Sequence, residues 1–183
     1  MLLSVSKPRI IGGTAKGRSL ETPKRGTRPS PSRLREALFN ILEFHERGTF
    51  LDLYSGTGAM GLEAASRGWE STCVDLNKVA AKIIQKNAQT LKLKTEVVQG
   101  DALKFAQTST KKFDVVFAAP PYPLELTPIF QTIFDSEVAL EGGLYIFQHP
   151  SKLKLSLEQA GQGIEPESVR RYGSNVLSFF KRS

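Results

Sequence analysis

The chain has 183 residues, 40% of them hydrophobic and 23% charged, proportions that fit one soluble globular domain with a real core. No apolar run reaches the ~20 residues that cross a bilayer, and the apolar stretch after Met1 precedes Lys7, Pro8 and Arg9, the wrong order for a secretory leader. A cytoplasmic protein with no membrane contact is expected, and the lone cysteine, Cys73, fits a reducing compartment and a small core side chain.

The net charge of +7 is unevenly placed. Residues 1–35 hold nine Lys/Arg against one acid, Glu21, whereas the rest of the chain carries sixteen basic and seventeen acidic residues. All the positive excess sits in the N-terminal fifth, which suggests an arm that meets a polyanion. Arg9, Lys16, Arg18, Arg33 and Arg35 are the candidate contacts to that polyanion.

Lys7 to Pro31 is dense in Gly, Pro and basic residues, with turns at Gly12-Gly13 and Lys16-Gly17, and predicts a small hairpin or flap. A helix capped by Ser30 or Ser32 should follow, with Leu34, Leu38, Ile41 and Leu42 at helical spacing and Gly48 as its stop. Residues 1–47 are read as a basic extension of one domain whose core is 48–183.

From Phe50 onward strands and helices alternate. Strands are predicted at Phe50–Tyr54, Ser71–Val74, Glu96–Gln99, Phe113–Ala118 and Leu144–Gln148. Helices are predicted at Ala59–Arg67, Val79–Leu91, Ala102–Gln107, Pro128–Phe134 and Lys152–Ala160. Val169–Tyr172 and Val176–Phe180 form a terminal hairpin around Gly173. Strands separated by helices of this length imply an α/β fold with a mostly parallel, doubly wound sheet and right-handed crossovers.

The first candidate site is Asp52-Leu53-Tyr54-Ser55-Gly56-Thr57-Gly58-Ala59-Met60-Gly61, a strand–turn–helix segment whose glycines let backbone approach a ligand. Gly56, Gly58 and Gly61 spell G-x-G-x-x-G, and Asp75 ends the next strand, where a carboxylate can accept from ribose hydroxyls. A nicotinamide dehydrogenase and a methyltransferase both fit this much. Two further acids separate them. Asp52 lies where a carboxylate can face an ammonium group but would repel a pyrophosphate, and Asp101 ends the third strand, where it can accept from an adenine amine. Three acids at successive strand ends suit a cationic sulfonium cofactor without phosphates, although any one of them alone reads as a helix N-cap.

The second site is Ala118-Ala119-Pro120-Pro121-Tyr122-Pro123. Consecutive prolines stiffen the turn and cannot donate hydrogen bonds. A carbonyl held there can accept from an amine, and Tyr122 can stack on the base that carries it.

These motifs bring a resemblance with them. The chain resembles the RsmD family, methyltransferases of guanine N2 in small-subunit (16S) ribosomal RNA. The likeness runs through Arg9-Ile10-Ile11-Gly12-Gly13, Lys16-Gly17-Arg18, Arg28-Pro29-Ser30, Arg33–Leu42, Asp52–Gly68, Asp75, Asp101-Ala102, Pro120-Pro121-Tyr122, Tyr172-Gly173 and Leu177-Ser178-Phe179. It implies a Rossmann-like class I fold dependent on S-adenosylmethionine, with a C-terminal antiparallel hairpin. Cofactor contacts would come from Ser30, Asp52, Gly56, Gly58, Asp75, Leu76, Asp101 and Ala102. Pro120, Pro121 and Tyr122 would hold the target base, and the partner would be ribosomal RNA, as the small subunit or its assembly intermediate, with no metal required. The family resembles Asp-Pro-Pro-Tyr or Asn-Pro-Pro-Tyr at the turn, so Ala119 removes the polar side chain expected to hold the amine. A Glu is also common where this chain has Gln148. Glu125 and His149 are the candidate substitutes, and the alternatives are a DNA amino-methyltransferase or a cofactor- and RNA-binding protein with weak or no turnover.

Overall fold

The computed structural model describes residues 7–24, 30–122 and 125–183. Arg28 and Pro29 of the N-terminal motif, and Pro123 of the proline turn, lie outside the described residues. In chain order come α1 (Ser32–Leu42), β1 (Thr49–Leu53), α2 (Ala59–Ser66), β2 (Glu70–Asp75), α3 (Lys78–Thr90), β3 (Thr95–Gln99), α4 (Ala102–Thr108), β4 (Phe113–Ala118), α5 (Leu126–Asp135), β5 (Ala139–Pro150), β6 (Leu157–Gln159), β7 (Gln162–Ile164), β8 (Ser168–Tyr172) and β9 (Asn175–Lys181).

The main sheet runs β3-β2-β1-β4-β5-β9-β8. The first five of these strands pair in parallel, and β9 then pairs antiparallel with β5 and β8. The order reverses between β1 and β4, and open α/β sheets bind ligands at the carboxyl ends of the strands beside such a reversal. This is the doubly wound sheet with a terminal hairpin that the sequence pattern predicts.

Strand alternation sorts the core into two layers. On one face Phe50, Val115, Phe117, Ile146, Leu177 and Phe179 pack with Leu34, Leu38 and Phe39 of α1 and with Met60 and Ala64 of α2. On the other, Leu51, Val116, Ala118, Tyr145, Phe147 and Phe180 pack with Ala102 and Ala106 of α4 and with Phe130, Ile133 and Phe134 of α5. Cys73 is buried on the first face, as expected of a core thiol.

Three local expectations are corrected. The stretch 152–160 holds no α-helix; its end forms the antiparallel pair β6–β7, with Leu155 and Leu157 buried against α5's layer. Alternate apolar residues at 153, 155 and 157 have a two-residue period, and Gly161 at φ +77° supplies the tight reversal. Helix α1 begins after Pro31, with no side-chain cap from Ser30 or Ser32. It ends at Leu42, well before Gly48, whose hypothetical Cβ would collide with the Asp114 carboxylate.

The basic N-terminal segment is bound to the core. Arg9 and Ser19 form an antiparallel bridge, and Ile10, Ala15 and Leu20 are buried against α2 and α3. The fully buried Glu63 accepts from the backbone N–H groups of Ile11 (2.8 Å) and Gly12 (3.0 Å).

Candidate active site

The glycine loop leaves β1 at Tyr54, a non-glycine residue at φ +59°, and enters α2 through Gly58 at φ +78°. A Cβ on Gly58 would approach Ile84 Cγ1 to 2.8 Å, so glycine there permits both the backbone turn and the seating of α3. Ser55 N donates to Val74 O (3.0 Å) and Gly100 N to Asp75 O (3.0 Å). These bonds tie together the ends of β1, β2 and β3.

Asp75 supports the loop directly. Its Oδ2 accepts from Gly56 N at 2.7 Å and its Oδ1 from Asn77 N at 2.9 Å. A carboxylate oxygen accepts more than one bond, so both retain capacity for a diol. Leu76, the next residue, is 66% exposed, an apolar surface suited to cover by a flat ring. Asn77 caps α3 through Val79 N and Ala80 N.

At the end of β3, Asp101 caps α4 by accepting from Lys104 N at 2.8 Å, and Ala102 is buried behind it. The half-buried Tyr54 hydroxyl has its pKa pushed up to about 12, by burial and then by the charge of Asp101. Tyr54 follows β1 inside the glycine loop and packs against the layer that contains Ala102. The sequence signal for it was its place inside the glycine motif.

Asp52 has a different position from the expected one. It is 1% exposed, and its Oδ2 accepts from Ser55 Oγ (2.7 Å) and Gly61 N (2.9 Å) beneath the loop. Its pKa is raised to about 7, mainly by burial, with Ser55 and Gly61 opposing and Asp75 adding to the rise. Asp52 braces the loop from below and is not open to a ligand's ammonium.

The proline turn follows β4. Pro120 is buried, Pro121 exposed and Tyr122 46% exposed. Burial raises the Tyr122 pKa and a hydrogen bond from the Gln148 side chain offsets part of the rise, while its hydroxyl donates to Asn175 Oδ1 at 3.3 Å. Ala119 packs against the apolar layer that contains α1.

His149 is not a substitute acceptor. It is 2% exposed, with Nδ1 2.9 Å from Pro150 O and Nε2 2.8 Å from Ser178 Oγ. A carbonyl only accepts, so Nδ1 carries the proton and Nε2 accepts from the serine. Burial lowers its pKa and holds it neutral. Glu125 is the exposed residue that precedes α5.

Of the candidate RNA contacts, Arg9, Lys16, Arg18 and Arg33 are exposed, with Arg9 Nη1 donating to Gly17 O (3.0 Å). Arg35 is corrected. It is 1% exposed, and its guanidinium donates to Glu63, to Ser30 O and Oγ, and to Arg9 O. It therefore has no face for phosphate, and it lies on the buried side of α1 with Leu34 and Leu38. Ser30 is fixed by the same contact.

The family described as "Conserved hypothetical protein 95" matches residues 8–181. The chain is 32% identical over 183 residues to the putative rRNA methyltransferase YlbH of Bacillus subtilis, covering 95% of this chain and 98% of that protein. It is 37% identical over 118 residues to ribosomal RNA small subunit methyltransferase D of Escherichia coli, an alignment spanning 62% of this chain and 60% of that one. Among solved structures, the putative methyltransferase yhhF from Escherichia coli superposes with a TM-score of 0.81 at 27% identity, over 97% of this chain and 99% of the other. A match this long, with an end-to-end relative above 30% identity, means that the chain belongs to the Conserved hypothetical protein 95 family, the RsmD family of methyltransferases.

Proposed function

We propose that the chain is an S-adenosylmethionine-dependent ribosomal RNA methyltransferase acting on the exocyclic N2 of a guanine in small-subunit (16S) RNA. The observation that carries the reading is the convergence of Gly56, Asp75 and Asp101 at strand ends next to the sheet reversal, with the proline turn following the neighbouring strand β4. The names of the Bacillus subtilis and Escherichia coli relatives point the same way.

The residues present fit the cofactor. Asp75 offers two oxygens to a ribose diol, Leu76 an uncovered apolar surface to an adenine, and Asp101 an acceptor beside it. A Cβ added at Gly100 would meet nothing within 4 Å, so the rim beside Asp101 is open. When bound, S-adenosylmethionine supplies an electrophilic methyl group on a sulfonium.

The chain's own contribution is positioning. The guanine amine is a poor nucleophile because its lone pair is delocalised into the ring. Pro120 O accepts one of its N–H groups and Tyr122 stacks the base, presenting the nitrogen for direct transfer without a covalent enzyme intermediate. Ala119 offers no acceptor. Loss of a charge-assisted hydrogen bond of ~1.5–3 kcal/mol slows transfer by roughly one to two orders of magnitude. The exposed Arg9, Lys16, Arg18 and Arg33 hold RNA phosphates, which position without reading sequence.

The test is transfer of a labelled methyl group from the cofactor to RNA of small subunits from cells lacking the modification, with duplex DNA in parallel. Label in RNA alone is expected. Label in DNA alone would replace the substrate, and tight binding of cofactor and RNA without transfer would establish the second reading, binding without turnover, which Ala119 favours.

A further inference from the structure

Gln148 carries an unusual atom. Among the described residues its Oε1 is buried and accepts no hydrogen bond, the side chain's bond to Tyr122 being one in which the amide N–H donates, and folded proteins rarely leave a buried acceptor empty because it forfeits its bond to water. Such an atom calls for a reason.

Its location supplies one. In the β4–β5 ladder Phe117 pairs with Ile146 and Ala118 with Phe147, the last pair of that ladder, and Ala119 and Gln148 are the residues that follow it on the two strands. Both residues follow, at a two-residue interval, side chains of the layer that contains α1, Phe117 and Ile146. Across the other edge Gln148 pairs with Leu177 of β9, two residues from Asn175. The Tyr122 hydroxyl bonds to Asn175 from the far side of β5, so the tyrosine reaches across the strand end that bears Gln148. His149 takes no part in this constellation. His149 belongs to the opposite strand face and both its nitrogens are occupied.

We propose that Gln148 Oε1 is the acceptor for the exocyclic amine of the target base, doing from β5 what Ala119 cannot do from β4. The inference rests on the amino-methyl transfer proposed above. When the base enters and Tyr122 leaves Asn175 to stack on it, Oε1 gains the N–H donor it lacks in the free protein. With Pro120 O it then brackets the amine, one acceptor for each N–H, and the nitrogen lone pair turns towards the methyl group. The amide is neutral, so it draws the proton without taking it, and the proton leaves to water after transfer. An acceptor kept empty for a substrate lowers native stability and raises the rate, so removing it moves the two in opposite directions.

Gln148→Met keeps the length and removes the polarity. Three quantities are read on the full chain: single-turnover methyl transfer to small-subunit RNA, cofactor affinity by calorimetry, and Tm. The variant is expected to transfer at least about tenfold more slowly, bind S-adenosylmethionine as before, and melt about 2–4 °C higher. Ala119→Asp added to Gln148→Met should recover most of the rate by supplying an acceptor from the adjacent strand. Transfer at the wild-type rate by Gln148→Met overturns the inference alone. So does a slow variant with a lowered Tm, or one that Ala119→Asp fails to rescue, because each assigns Gln148 a structural role. If the wild-type chain itself transfers no methyl group to RNA, the proposed function falls and the inference with it.

Discussion

Arg35 Nε lies 3.3 Å from Glu63 Oε1, and both side chains are essentially inaccessible, at 1% and 0% exposure. The second oxygen of Glu63 takes Arg67 Nε at 2.9 Å, and the two oxygens also receive the N–H groups of Ile11 and Gly12. One carboxylate thus fastens α1, α2 and the basic N-terminal segment together. Removing one partner of a buried ion pair strands the other charge, which costs about 3–5 kcal/mol. Glu63→Ala should lower unfolding free energy by that amount in urea titrations and speed proteolytic cleavage within residues 9–20. Unchanged stability would show that Ile10, Ala15 and Leu20 hold the segment unaided.

Asp52 makes stability fall with rising pH over a defined window. Its folded pKa is raised to about 7, whereas in an unfolded chain Asp titrates near ~3.9. Between about pH 4 and 7 the folded state holds a proton that the unfolded state has lost, so this group's contribution declines through that window and is gone above it. A shift of about three units bounds the effect at about 4 kcal/mol. Asp52→Asn keeps an acceptor for Gly61 N and cannot ionise, so it should flatten the slope. Denaturant midpoints at intervals from pH 4.5 to 8 check this, and a wild-type slope in the Asp52→Asn variant would assign the dependence elsewhere.

The exposed basic residues should behave as phosphate contacts. Replacing Lys16, Arg18 and Arg33 with Ser should weaken RNA binding and reduce the salt slope by roughly 0.7 to 0.9 per lost contact. Cofactor affinity should be unchanged. Arg35 is excluded because its charge is neutralised inside the fold. Filter binding across a salt series measures the slope, and an unaltered slope would make this charge mere solvated surface.

Tyr122 should act through its ring. Tyr122→Phe removes only the 3.3 Å bond to Asn175 and should keep both RNA affinity and transfer within a few-fold of wild type. Tyr122→Ala forfeits stacking of ~1–3 kcal/mol, so affinity for small-subunit RNA and the single-turnover rate should both drop. Equal rates for the Ala variant and wild type would remove Tyr122 from the base site.

The parallel sheet was legible because the short apolar runs of β1 and β4, and Cys73-Val74 of β2, are separated by helical periods. The terminal hairpin was legible from Gly173 between two short runs that hold Val, Tyr and Phe. The β6–β7 pair was missed because Lys152–Ala160 carries leucines at 153, 155 and 157, few enough that a two-residue period passes for helical spacing. Within the site, glycine spacing and strand-end acids marked Gly56, Asp75 and Asp101. Spacing could not tell that Asp52 points beneath the loop, since its partner Gly61 N belongs to the helix packed over that strand face. Nor could a linear pattern distinguish Arg33, exposed on α1, from Arg35, whose partner Glu63 is 28 residues away. That Ala119 and Gln148 both follow the last β4–β5 pair depends on sheet register, which exists only once β4 and β5 have met.

The central claim is that the methyl group reaches N2 of a guanine in small-subunit ribosomal RNA. Small subunits from cells lacking this chain, incubated with it and labelled S-adenosylmethionine, can be stripped of protein and their RNA digested to nucleosides for chromatography with mass spectrometry. The expected result is label in N2-methylguanosine alone, derived from small-subunit RNA. Label in a methylated adenosine or cytidine, or in DNA but no RNA, would contradict it.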